Sequence, residues 1–308
     1  MTPKGSGTEV FTTRYWGMET WSDDEIAETI FEDQVASLAA VRACLRQIAA
    51  AAGAASARLR DDTNGRGRLV YAGAGTSARL AVQDGVELVP TFGWPEDRLA
   101  YLIAGGLGAL TRSIEGAEDD RDAARVDVSA LVLVPADILI AVSASGTTPY
   151  TVTACEAGRN AGALTIGIYN NDQPDGLSLA VVCDHPICAA TGPEPIAGST
   201  RMKAGTAQKI ILNLLSTLIM VREGRVFEGL MVDMQATNAK LKTRARRMVA
   251  QIADVGNAEA DRLLEAAGGH VKLAILIQKG LSPEIATAML DEQGGDLRRV
   301  LDNLPRDP

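Results

Sequence analysis

The sequence predicts an α/β protein: an open parallel sheet flanked by helices, with helices ahead of it and a small helical bundle after it. Three observations predict this. Short apolar runs alternate with helical patterns through the middle of the chain. Two of those runs end in loops of glycine and hydroxyl residues that lead directly into a helix. Hydrophobic residues make up 46% of the chain but aromatics only 4%, so the core is built from Ala, Val, Leu and Ile, which suits helices packed closely on a parallel sheet. The expected organisation is an N-terminal arm with helices over residues 1–62, the sheet domain over 63–250, and a helical module over 251–308.

In chain order, residues 1–15 read as a polar arm, and residues 1–10 lack the apolar stretch of a secretory leader. Ser22 followed by Glu25 is a capping box that starts a helix. Ile26, Ile30, Val35, Leu38, Val41, Leu45 and Ile48 then recur at helical spacing, and the alanine-rich residues 49–57 continue the pattern. Asp61-Asp62-Thr63-Asn64-Gly65 is a turn. Strands are expected over 68–72, 99–104, 137–142, 164–169 and 179–183, and helices over 77–87, 119–124, 150–162 and 205–221. From Leu230 a long helical region begins; its Lys240, Lys242, Arg244, Arg246 and Arg247 read as a solvated face. Short helices over 258–267, 270–278, 282–293 and 296–303 follow, punctuated by glycines.

Charge and composition exclude several function classes. A net charge of -9 argues against a nucleic-acid partner, which needs a concentrated basic surface. The longest apolar run, residues 210–221, is interrupted by Asn213, Ser216 and Thr217, so no membrane span is expected. The four cysteines form no disulfide framework in a chain of this length, and a reducing cytoplasm is the expected location. With two histidines, and a Cys183-Asp-His185-Pro-Ile-Cys188 spacing that matches no common zinc site, neither metal nor other cofactor is expected.

The two strand-to-helix loops carry the expected chemistry. In Gly73-Ala74-Gly75-Thr76-Ser77, glycine lets the backbone approach a ligand and the first helical N–H groups point at it, so Gly75, Thr76 and Ser77 form a candidate phosphate cradle. Gly73-x-Gly75-x-x-Ala78 also permits a dinucleotide fingerprint, but the acidic residue expected after the next strand is missing, because Ala104 leads into Gly105-Gly106. A plain tight turn is the remaining alternative. The second loop offers the hydroxyls of Ser143, Ser145, Thr147 and Thr148, which favours a monophosphate. A third stretch, from Gly198 to Lys209, places Ser199 and Lys203 where they would close over a sugar, unless it is only a capped helix start. Two carboxylates stand out. Glu87 has Val86, Leu88 and Val89 as neighbours, apolar company that suits a general acid, or it is a solvated helix end. Glu118 follows the second strand and is either a site carboxylate or a helix cap.

Gly73-Ala-Gly-Thr-Ser77, Pro90-Thr-Phe-Gly93, Glu115-Gly-Ala-Glu-Asp119, Ala144-Ser-Gly-x-Thr-Pro-Tyr150, Ile196-Ala-Gly-Ser-Thr-Arg-Met-Lys-Ala-Gly-Thr-Ala-Gln-Lys209 and Leu230-Met-Val-Asp-Met-x-Ala-Thr-Asn238 together resemble the N-acetylmuramic acid 6-phosphate etherases, a family of the sugar isomerase (SIS) superfamily. The resemblance runs from about Trp21 to the C-terminus, and the string ending at Lys209 is its most specific part. It implies cleavage of a lactyl ether by elimination and water addition. It also implies catalytic roles for Glu87 and Glu118, phosphate binding at Ser77 and the Ser143–Thr148 loop, and a C-terminal module similar to a ubiquitin-associated domain. The chain departs from the family pattern at Ala78, Thr147, Gln83 and Gly85, the first two beside the expected phosphosugar. If residues 77–87 are one helix, Glu87 lies about 15 Å along its axis from the phosphate end, too far for one hexose phosphate to bridge. Glu87 would then serve a neighbouring subunit, and a homodimer is expected. The competing readings are a non-catalytic phosphosugar sensor and an aldose–ketose isomerase.

Overall fold

The predicted capping box forms at the start of α1 (Asp23–Ala43): Ser22 Oγ accepts from Glu25 N–H, and Glu25 Oε2 accepts from Ser22 N–H at 2.9 Å. Helix α2 (Leu45–Asp61) follows and buries Ile48, Ala51, Ala52, Ala55 and Leu59. In this computed structural model the described residues are 7–62, 65–174, 176–234, 236 and 238–304. Residues 1–6 of the expected arm, and Thr63 and Asn64 of the expected turn, lie outside them.

The chain divides into two units, Met1–Gly85 with Asp97–Ser216, and Val86–Glu96 with Thr217–Pro308. Among the described residues the first unit holds five parallel strands: β1 (Leu69–Gly73), β2 (Leu99–Ile103), β3 (Ile138–Ser143), β4 (Leu164–Tyr169) and β5 (His185–Cys188), in the order β2-β1-β3-β4-β5. Every residue of β1, β3 and β4 is buried, as expected of parallel strands covered on both faces. The helices that follow the strands are α3 (Gly75–Phe92), α4 (Arg121–Leu131), α5 (Pro149–Asn160), α6 (Leu179–Val182) and α7 (Lys203–Arg222).

The last strand departs from expectation. The apolar run at 179–183 forms the single turn α6, anchored by Leu179 N–H on the Gly146 carbonyl (2.8 Å). The edge strand is instead His185–Cys188, whose Pro186 weakens the strand signal; an edge position tolerates its missing N–H. Helix α7 is also more apolar than the sequence reading allowed. By length and mean hydropathy (1.4) it would suit a bilayer, yet Ile211, Leu212, Leu215, Ile219 and Met220 are buried inside the protein.

The second unit is built from helices α8 (Ala239–Ala253), α9 (Asn257–Ala266), α10 (Val271–Gln278), α11 (Pro283–Glu292) and α12 (Leu297–Asn303). Its core joins Phe227, Val232, Met248 and Val249 to Ile275, Leu276, Leu297 and Val300. The module's core therefore starts well before residue 251. The helix expected from Leu230 is delayed to Ala239. Glu228 and Gly229 take positive φ (50° and 77°), and Leu230 exchanges both backbone hydrogen bonds with Phe227 (2.8 and 2.9 Å), so the segment turns back instead of coiling. Asn238 then caps α8.

Candidate phosphosugar site

The strand order places a topological switch point between β1 and β3. The chain leaves β1 for β2 on one side, while β3 pairs with β1 on the other. Ligands of open α/β sheets bind in the crevice at the strand carboxyl ends there. Register brings the relevant loops level: Gly73 pairs with Ile103 on one side and Val142 on the other. The loops after β1, β2 and β3 therefore emerge side by side, at strand spacings of roughly 4.8 Å.

After β1 the turn is tight. A Cβ on Gly73 would stand 3.0 Å from Ala78 N, and Gly75 takes a φ of 54°, so glycine is required where the chain enters α3. Gly75, Thr76 and Ser77 form the first turn of that helix, whose N–H groups have no intrahelical acceptor. Ser77 is buried, Thr76 half-buried and Gly75 exposed, so the cradle is open at its tip.

After β3 the four predicted hydroxyls lie together. Ser143 Oγ is 2.8 Å from Thr148 Oγ1 and 3.3 Å from Ser145 Oγ, and Thr147 Oγ1 donates to Ser145 Oγ at 3.2 Å. Gly146 N–H donates to Ser143 Oγ and Thr147 N–H to Ser145 Oγ. Thr148 precedes α5 without a side-chain cap, and Pro149 fills its first position. The hydroxyls thus bond one another at a helix start and can re-aim at an anion.

Glu118 sits in the loop after β2, on a single 3-10 turn, Ala117–Asp119, entered through Gly116 at a φ of 71°. It is exposed and lines a cavity of about 290 Å³ together with Gly75. The structure therefore brings this carboxylate and the first loop into one space. Helix capping, the alternative role for Glu118, falls to Asp120, which accepts from Ala123 N–H at 2.8 Å.

Of the two readings of Glu87, its surroundings match the solvated one. Among its apolar neighbours in sequence Leu88 is buried, but Val86 is exposed and so is Glu87. The buried acid of this helix is Asp84, one turn earlier. It accepts from Tyr71 Oη (3.0 Å), Asn213 Nδ2 (2.7 Å) and Ser216 Oγ (3.1 Å). Burial pushes its carboxyl above the usual range, and these hydrogen bonds partly offset the rise. Because α3 is unbroken from Gly75 to Phe92, Glu87 stands ten residues past Ser77, about 15 Å along the axis.

The third stretch is a correction. Lys203, expected to reach a sugar, is buried; its ammonium donates to Asp33 Oδ1 (2.7 Å) and to the Pro193 carbonyl (2.6 Å). The helix start behind it is also filled: both oxygens of the buried Glu194 accept from the Lys203 and Ala204 N–H groups (3.0 and 2.9 Å). An anion at the N-terminus of α7 would have to displace a carboxylate already there. Ser199 remains half-buried on the turn before the helix. Sequence reading missed Asp33, whose partner Lys203 lies 170 residues along the chain, and Glu194, whose partners are backbone N–H groups nine and ten residues on that no side-chain pattern marks. It also missed Arg79 and Arg112, which line the Glu118 cavity and whose polar character alone marks no site.

The chain is similar to known proteins over most of its length. The model of the glucokinase regulatory protein N-terminal SIS domain matches residues 51–158. The chain is 47% identical over 295 residues to the N-acetylmuramic acid 6-phosphate etherase of Deinococcus radiodurans, covering 96% of this chain and 94% of that one. It is 44% identical over 300 residues to the enzyme of that name from Streptomyces avermitilis, covering 97% and 94%. Among solved structures, a phosphoheptose isomerase from Francisella tularensis superposes with a TM-score of 0.47 at 16% identity, over 65% of this chain and 100% of that one.

Proposed function

The chain belongs to the N-acetylmuramic acid 6-phosphate etherase family, and we propose that it cleaves the lactyl ether of N-acetylmuramate 6-phosphate to N-acetylglucosamine 6-phosphate and D-lactate. The observation that carries this reading is the cavity in which Glu118 faces the same space as Gly75, at the switch point of the sheet. The first turn of α3 and the hydroxyls of Ser143, Ser145, Thr147 and Thr148 hold the phosphate, with Ser199 at the rim.

The chemistry requires an acidified C2–H. Ring opening leaves an aldehyde at C1, which acidifies that proton, and the Glu118 carboxylate removes it. The electron pair moves into C2–C3 as the C3–O bond breaks, and Glu87 supplies the proton to the departing lactyl oxygen. Water then adds to C3 of the unsaturated aldehyde while C2 regains a proton. Two carboxyl groups suffice for these steps, without a metal or cofactor. Glu118 takes the base role because it shares the cavity with the phosphate loop, and Glu87 takes the remaining one.

Glu87 then acts in the site of a second copy, and the working enzyme is a homodimer. The exposure of Glu87 beside Val86 supports this, as does an apolar stripe on α1 formed by Phe31, Val35 and Leu38 at 68%, 48% and 53% exposure. Four free thiols and a phosphorylated substrate suit the cytoplasm.

A coupled assay tests the reaction: the protein should release D-lactate from N-acetylmuramate 6-phosphate. A rise in melting temperature with this ligand and no lactate would indicate a sensor. Interconversion of hexose phosphates without lactate would indicate an isomerase.

A further inference from the structure

The cavity that Glu118 lines also holds two guanidinium groups, and their engagement differs. Arg79 donates from Nε to the Leu110 carbonyl (3.1 Å), and from Nη2 to the carbonyls of Ala109 (3.0 Å) and Arg112 (3.2 Å). It pins the turn that follows Gly106, and the Arg112 N–H closes that turn on the Gly108 carbonyl at 3.2 Å. Arg112 itself is exposed, and among the described residues its guanidinium makes no hydrogen bond or ion pair. The result is a cation without a counterion, on a backbone fixed by its neighbour, in the same space as the carboxylate assigned to C2.

We infer that Arg112 binds the carboxylate of the lactyl ether and selects substrates whose ether carries an acid. This rests on the reaction proposed above. In that substrate the carboxyl carbon lies two bonds beyond the ether oxygen on C3, next to the C2 on which Glu118 acts. A side chain that reads the carboxylate must therefore share a cavity with Glu118. The cations lining that cavity are Arg79 and Arg112, and Arg79 is held by three carbonyls. A guanidinium fork matches a carboxylate in two parallel hydrogen bonds. The phosphate loops alone hold any hexosamine 6-phosphate, so the lactyl charge is the feature left to read. A site that pairs a polar group of its substrate rejects the analogue lacking it.

The test compares N-acetylmuramate 6-phosphate with its lactyl carboxamide, following lactate and lactamide release for wild type, Arg112→Ala and Arg112→Lys. Wild type should favour the acid in kcat/KM by roughly tenfold to a hundredfold, the worth of one charge-assisted pair. Arg112→Ala should lose that preference by slowing only on the acid, and Arg112→Lys should restore part of it. Inhibition by N-acetylglucosamine 6-phosphate, which lacks the carboxylate, should be unchanged in both variants. An Arg112→Ala enzyme that still prefers the acid overturns the assignment, as does one equally slow on both substrates. If wild type releases neither lactate nor lactamide, the reaction itself is wrong and the assignment falls with it.

Discussion

Glu118→Gln is expected to slow D-lactate release by roughly a hundredfold to ten-thousandfold, the range for loss of a positioned general base. The amide keeps the shape of the side chain but cannot take the C2 proton. With phosphate binding assigned to the loops after β1 and β3, KM is expected to change little. The Glu118 carboxylate is exposed and has no hydrogen bond or ion pair among the described residues, so the variant should melt with wild type. Steady-state kinetics with a melting curve on the same sample check this. A variant that turns over at the wild-type rate would remove Glu118 from the chemistry.

Glu87→Gln should be as inactive, for a different reason: the lactyl oxygen departs without a proton. Because Glu87 stands about 15 Å along α3 from the phosphate end, the two inactive chains should complement one another. Refolding Glu87→Gln with Glu118→Gln in equal amounts should recover about a quarter of wild-type activity, since half the dimers are mixed and each holds one intact site. Verified mixed dimers with no activity would show that both acids must come from the same chain.

The geometry of the candidate loops was legible in the sequence because it is local. Gly73, Gly75 and the hydroxyls after β3 are set by backbone conformation and near neighbours, and strand register then sets the loops side by side. The surroundings of Glu87 were not legible, because residues adjacent in sequence point to different faces of a helix. Its apolar neighbour Leu88 turns inward while Asp84, one turn back, is the buried acid. Lys203 misled for a further reason: its partner Asp33 is 170 residues away, and no local pattern announces such a pair. The edge strand His185–Cys188 was hidden by Pro186, whereas the apolar run before it took a helical turn through its tie to Gly146. The family resemblance supplied Glu87 and Glu118 as a pair; the structure adds the shared cavity of Glu118 and Gly75.

The central claim is that proton transfer at C2 drives scission between C3 and the lactyl oxygen. Turnover in deuterium oxide, and separately in heavy-oxygen water, with mass analysis of both products, tests it most directly. The account predicts one deuterium at C2 of the N-acetylglucosamine 6-phosphate, the solvent oxygen at its C3, and lactate free of solvent oxygen. Lactate carrying the solvent oxygen, alongside a sugar that keeps its original C2 hydrogen, would contradict it.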